Sequence, residues 1–257
     1  MNQIAELIHN ENVKIYKKSR TWILLGLLII ANSMVGLFLK MLFGGTDYMF
    51  WDFVENGTQL LVLIIFIGII QGGDIVSSEF HNGTIKMLLI RPVSRAKILV
   101  AKYLSLCLFL VVFVCAHIII TGLVGLLFFS PTSNAVVNDP FFIISMLGSY
   151  VFGTIEIFII STLAFTFSAV SRNSLFSILG PIFIYLVSNT LLTLLSYSNV
   201  QEGKYILFAH TDLSQHMYGQ PMFEGVTLLF SLGMIALHMV LFFAVSYLVF
   251  TKKDVHV

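Results

Sequence analysis

The chain has 257 residues, of which 58% are hydrophobic and only 11% charged. A soluble globular domain carries about 25% charged residues, and 24 phenylalanines exceed what a soluble core of this size uses. The excess apolar surface must face lipid, so composition alone excludes a soluble enzyme and points to an all-α integral membrane protein. The net charge of +1 is too small to suggest a nucleic-acid partner.

Residues 1–20 are polar and basic. Ile4, Leu7, Ile8, Val13, Ile15 and Tyr16 recur at intervals of three to four between Glu6, Glu11, Lys14, Lys17 and Lys18, which predicts an amphipathic helix lying at the membrane surface. No cleavable signal is expected, because the apolar stretch that follows is too long for a signal core and has no small-residue cleavage pattern behind it.

A spanning helix needs roughly 20 apolar residues. Stretches of that kind occur at 21–43, 57–75, 98–129, 141–168, 175–197 and 226–250, so the expectation is one transmembrane domain of six spans with both termini on the same side. Lys14, Lys17, Lys18, Arg20, Lys86, Arg91, Arg95, Lys97, Lys102, Arg172, Lys252 and Lys253 fall on that side, and only Lys40 and Lys204 on the other. The positive-inside rule then makes the termini cytoplasmic. Asp47, Asp52, Glu55, Asp139, Glu202, Asp212 and Glu224 fall outside.

The two cysteines, Cys107 and Cys115, lie eight residues apart in one apolar run. That is roughly 12 Å along a helix, too far for a disulfide, and they read as small core residues. No metal framework is present in the sequence.

The loop at 76–97 carries the most information. Glu79 follows the exit of the second span, and His81-Asn82-Gly83 breaks the pattern, with Gly83 permitting a left-handed turn. Thr84–Ile90, with Lys86 and apolar Ile85, Leu88 and Leu89, predicts a short amphipathic helix. Arg91-Pro92 ends it, and Ser94 is placed to cap the next helix. The product is a basic helix-turn-helix between two spans, suited to docking in a groove on a soluble partner.

The string S-E-F-x-N-G-T-x-K-x-L-L-x-x-P-V-S-R-x-x-I-L-x-A-K at Ser78–Lys102 resembles the signature of bacterial ABC exporter permeases of the ABCG-like fold. The resemblance implies that Glu79, His81, Asn82, Gly83, Thr84, Lys86, Leu88, Leu89, Arg91 and Pro92 form the coupling element that touches a separate cytoplasmic ABC ATPase. It implies a second permease half, identical or different, with spans two and five at the dimer axis. It also implies small re-entrant helices in the 198–225 connection, a location in the bacterial plasma membrane, and export of an amphipathic or antimicrobial peptide, a drug or a lipid. The chain has no GxxxxGK[ST] run, so ATP and Mg2+ would be bound by the partner ATPase. This chain would carry no cofactor, no metal and no catalytic residue of its own.

Inside the membrane, Glu156 stands near the middle of the fourth span, with His117, His238, Asn32 and Asn189 at similar depth. A charge there is costly, so Glu156 is expected to have a polar partner, with His117 as the first choice. That cluster also supports an alternative, a secondary transporter or channel. A membrane-embedded protease is disfavoured by the absence of HExxH and of paired mid-span carboxylates.

Overall fold

The computed structural model describes residues 3–43, 48–83, 93–130, 141–171, 173–198, 200–219 and 221–252. Helices and short 3-10 turns account for the regular structure of these residues. Helix α1 runs Gln3–Lys17 and turns at Lys18 directly into α2, Ser19–Phe43. The turn is sealed by side chains that satisfy the last carbonyls of α1, a need every helix end has. Thr21 Oγ1 donates to Ile15 O at 2.6 Å and Trp22 Nε1 to Tyr16 O at 3.0 Å.

The second apolar segment starts earlier than the 57–75 expected. Helix α3, Phe50–Asn56, leads through a 3-10 turn at Gly57–Leu60 into α4, Leu61–Asp74, and then α5, Ser77–His81. The start of α3 is held by Asp52 Oδ2, which accepts from the Met49 amide at 2.7 Å. The break between α4 and α5 is stitched to a neighbouring helix: Ser168 Oγ accepts from the amides of Val76 and Ser77 at 3.2 and 2.9 Å. Gly83 then turns with φ +68°, the left-handed conformation expected there. Residues 84–92, including Thr84, Lys86, Leu88, Leu89, Arg91 and Pro92, lie outside the described residues.

Helix α6, Arg95–Phe128, opens with Ser94 Oγ accepting from the Lys97 amide, the cap that the sequence suggested. Helices α7, Phe142–Ser171, and α8, Ser174–Tyr197, follow, the latter capped by Asn173 and carrying Pro181 in its interior. The connection to α9, Leu228–Lys252, holds three 3-10 turns, at Gln201–Tyr205, Leu207–Ala209 and Leu213–His216, rather than α-helices. Leu207, Ala209, Leu213 and Phe223 in this connection are buried, so it folds back onto the bundle.

Six helical segments are long and apolar enough to cross a membrane: Ser19–Phe43, Phe50–His81, Arg95–Phe128, Phe142–Ser171, Ser174–Tyr197 and Leu228–Thr251. The second is the central one, with 72% of its most apolar window buried against 11% to 39% for the others. Its face toward α7 is built of small residues. A Cβ at Gly72 would lie 2.7 Å from the Ser161 carbonyl oxygen, so only glycine lets α4 and α7 approach this closely. Around this core, α2, α6, α8 and α9 turn rows of leucine, isoleucine, valine and phenylalanine outward, the distribution that a lipid solvent favours.

Helix α1, helix α5, the start of α6 and the end of α9 meet at one end of the bundle. Arg95 Nη1 donates to Thr251 O at 3.2 Å, and the rings of Phe80 and Phe250 lie 6.5 Å apart. This end holds most of the described lysine and arginine residues and is called the basic face below.

Candidate functional site

The basic face is held by a buried ion cluster. Lys102, two turns into α6, has no exposed side-chain surface. Its ammonium lies 2.8 Å from Glu11 Oε2, 2.7 Å from Glu79 Oε1 and 3.2 Å from Ile75 O, so each of its three protons has an acceptor. Lys14 Nζ, 2.7 Å from Glu11 Oε1 and 3.1 Å from Glu79 Oε1, bridges the same two carboxylates from the solvent side. Two cations and two anions thus cancel, which is the condition for keeping a charge out of water. Burial pushes the Glu11 carboxyl up, but the ammonium groups of Lys102 and Lys14 outweigh it and hold the group below its ordinary value. Burial lowers the Lys14 ammonium, and its contacts with Glu11 and Glu79 more than reverse this.

A second group ties the α1–α2 elbow to the end of α4. Asp74 Oδ2 accepts from Lys18 Nζ and Arg20 Nη2, both at 2.9 Å, and Arg20 Nη2 also reaches Gln71 Oε1 at 3.0 Å. Ser105 Oγ donates to Ile8 O at 3.3 Å and Lys97 Nζ to Gln3 Oε1 at 3.2 Å, fixing α1 along α6. The segment leaving the second span therefore cannot move without pulling on α1, α2 and α6.

Of the loop residues singled out in the sequence, Glu79 stands in this cluster, His81 ends α5, and Asn82 and Gly83 form the turn after it. Glu11, Lys14, Asp74 and Lys102 were not singled out. A signal for them exists: Glu11, Asp74 and Glu79 are acids on the side where the positive-inside count places the lysines and arginines, and all three are ion-paired.

The five polar residues expected to gather in mid-membrane separate into three places. Asn32 and His117, both fully buried, join α2 to α6. Thr121 Oγ1 donates to Asn32 Oδ1 at 2.8 Å, Asn32 Nδ2 lies 3.4 Å from His117 Nδ1, and His117 Nε2 donates to the Gly57 carbonyl at 3.0 Å. His238 bonds the Met234 carbonyl of its own helix at 2.8 Å. Glu156 is not paired with His117. The Tyr150 ring, 6.3 Å from that of His117, marks the face of α7 toward α6, and six residues later the helix has turned by about 240°. Glu156 therefore looks toward α8, where it lines a cavity together with Tyr185.

Glu156 and Asn189 line a cavity of about 630 Å³ bounded by α3, α4, α7, α8 and the connection that precedes α9. Glu55, Gln59 and Asp212 also line it, and among the described residues no lysine, arginine or histidine does. Among the described residues no group of three His, Cys, Asp or Glu side chains is placed to hold a metal ion.

An all-helical bundle with six membrane-crossing segments defines a multi-pass α-helical membrane protein. The chain belongs to the family described as "Protein of unknown function (DUF2705)", whose model matches residues 21–256. It is similar to the "Uncharacterized protein YhcI" of Bacillus subtilis (strain 168), with 34% identity over 221 residues, 82% of this chain and 70% of that one. It is also similar to the "Uncharacterized membrane protein YdbK" of the same organism, with 29% identity over 248 residues, 95% of this chain and the whole of the relative.

Proposed function

We propose that this chain is the membrane-spanning permease subunit of an ATP-binding-cassette exporter, driven by a separate ATPase that binds ATP and Mg2+. The basic face then lies in the cytoplasm of a bacterial cell, α1 rests at the inner surface of the plasma membrane, and α5 begins the coupling element. The observation that carries this reading is the ion cluster at Lys102. It joins Glu79, at the head of the loop with the exporter-like signature, to α1 and to the long helix α6. A push on the loop from a closing ATPase dimer reaches two spans and the interfacial helix together, which is how a local movement becomes a rigid-body switch of the pathway. A second permease half, identical or different, completes that pathway, and the cargo is an amphipathic or antimicrobial peptide, otherwise a drug or lipid. The chain performs no bond chemistry.

The test is purification of the full chain from its native host in nanodiscs, with and without Arg91→Ala in the loop. A stoichiometric ATPase bound to the wild type and weakened by the substitution supports the permease. If no ATPase accompanies the chain under conditions that preserve such complexes, a secondary transporter or channel becomes the better reading. With His117 and His238 placed elsewhere, that alternative rests on Glu156 and its cavity.

A further inference from the structure

The cavity between α4, α7 and α8 has the size of a small-molecule site, yet its lining is predominantly hydrogen-bonding. Glu156 stands midway along α7, half-buried, at a depth where an ionisable group is costly and marks function unless it is neutralised. Tyr185, midway along α8, lines the same cavity but brings no charge. Nearer the far face, Glu55 on α3 and Asp212 at the head of a 3-10 turn contribute two more carboxylates. The basic face pairs Glu11, Asp74 and Glu79 with lysine or arginine, whereas among the described residues no basic side chain lines this cavity. The negative charge is therefore left for a ligand.

We propose that this cavity binds a small organic cation, an ammonium or guanidinium compound whose charged group meets Glu156 and whose hydrogen-bonding atoms meet Tyr185, Asn189 and Gln59. A bare metal ion does not suit it, because the carboxylates are spread along the wall and, among the described residues, no three ligating side chains converge. An organic cation of several heavy atoms spans that spread, with Glu55 and Asp212 at the mouth drawing it in. The site is a property of this chain and stands whether or not an ATPase drives transport.

The experiment uses the full chain in nanodiscs without nucleotide or ATPase. Its probes are arginine amide and citrulline amide, which have nearly the same shape but differ in the guanidinium charge, and binding is read by calorimetry. The expected result is saturable binding of arginine amide at one site per chain, at least tenfold weaker binding of citrulline amide, and at least tenfold weakening of arginine amide by Glu156→Gln. Glu202→Gln, on an exposed residue outside the cavity, leaves the affinity unchanged. Should Glu156→Gln not yield a monodisperse protein, Glu55→Gln at the mouth carries the test with the same expected direction. No saturable binding of arginine amide, equal binding of the two amides, or indifference to both cavity substitutions overturns the proposal. None of these outcomes bears on whether an ATPase co-purifies, so the two readings fail separately.

Discussion

The ammonium of Lys102 meets Glu79 Oε1 at 2.7 Å with no solvent access, and the pair ties the exit of the second span to the entry of the third. Removing one partner from such a buried pair leaves an uncompensated charge, at a cost of about 3–5 kcal/mol. Lys102→Ala is therefore expected to lower the thermal midpoint of the detergent-solubilised protein sharply. Lys102→Met combined with Glu79→Gln recovers most of the loss, because Lys14 and Glu11 then remain as a balanced pair. A single Lys102→Ala protein as stable as wild type would show that the cluster is hydrated and contributes little.

The approach of α4 to α7 gives a steric prediction. Gly72→Ala places a methyl 2.7 Å from a backbone oxygen of α7, which a side-chain rotation cannot relieve, and overpacking of this kind costs about 1–3 kcal/mol. Gly122→Ala on α6 meets nothing within 4 Å and should be neutral. Comparing the two by thermal unfolding separates a packing effect from a general intolerance of glycine replacement.

The hydrogen bond from Thr121 to Asn32, 2.8 Å long and fully buried, tests how much polar contact contributes between spans. A double-mutant cycle with Asn32→Ala and Thr121→Ala should give a coupling of about 0.6 kcal/mol, and no more than about 1.7. A coupling of zero would mean that the two residues are held by packing alone.

The pH dependence of the connection before α9 follows from His210. Burial holds this ring below its ordinary value of 6.5, the Lys204 carbonyl opposes that, and His238 and His216 add to it. Its Nε2–H donates to the Lys204 carbonyl at 2.7 Å, leaving Nδ1 to accept from Ser231 Oγ at 2.9 Å, and Ser231 in turn meets His216 Nε2 at 2.9 Å. A depressed histidine binds its proton more readily when the segment opens. The stabilisation is therefore complete above pH 6.5 and declines as pH falls below it. Hydrogen exchange across 201–216 should accelerate on acidification through that window, and His210→Gln should flatten the response.

The six long apolar helices, the left-handed turn at Gly83 and the cap at Ser94 were legible from the residues alone. Each rests on a local rule: lipid demands long apolar helices, a turn needs a permissive glycine, and a helix start needs an oxygen acceptor. The start of the second span was placed seven residues late because Asp52 and Glu55 look like loop residues until Asp52 is seen capping α3.

Hydropathy could not say which helix is central. The first and second spans are equally apolar, yet the first is largely exposed and the second largely buried. In lipid both a buried and an exposed surface are apolar, so the contrast that separates core from surface in a soluble protein is missing. The same reason hid the partners of the polar residues. Glu156 and His117 share a depth, and only the rotation of α6 and α7 sends one to the α8 cavity and the other to α2. Lys102 read as one more basic residue at the membrane edge. What sequence determined by itself was the membrane class, the number of crossings and the charge asymmetry, since these follow from composition along the chain. Tertiary structure alone decided that Lys102 is buried among Glu11, Glu79 and a carbonyl, and that Glu156 opens on a cavity that no basic side chain among the described residues lines, because both depend on how helices distant in sequence are rotated against one another.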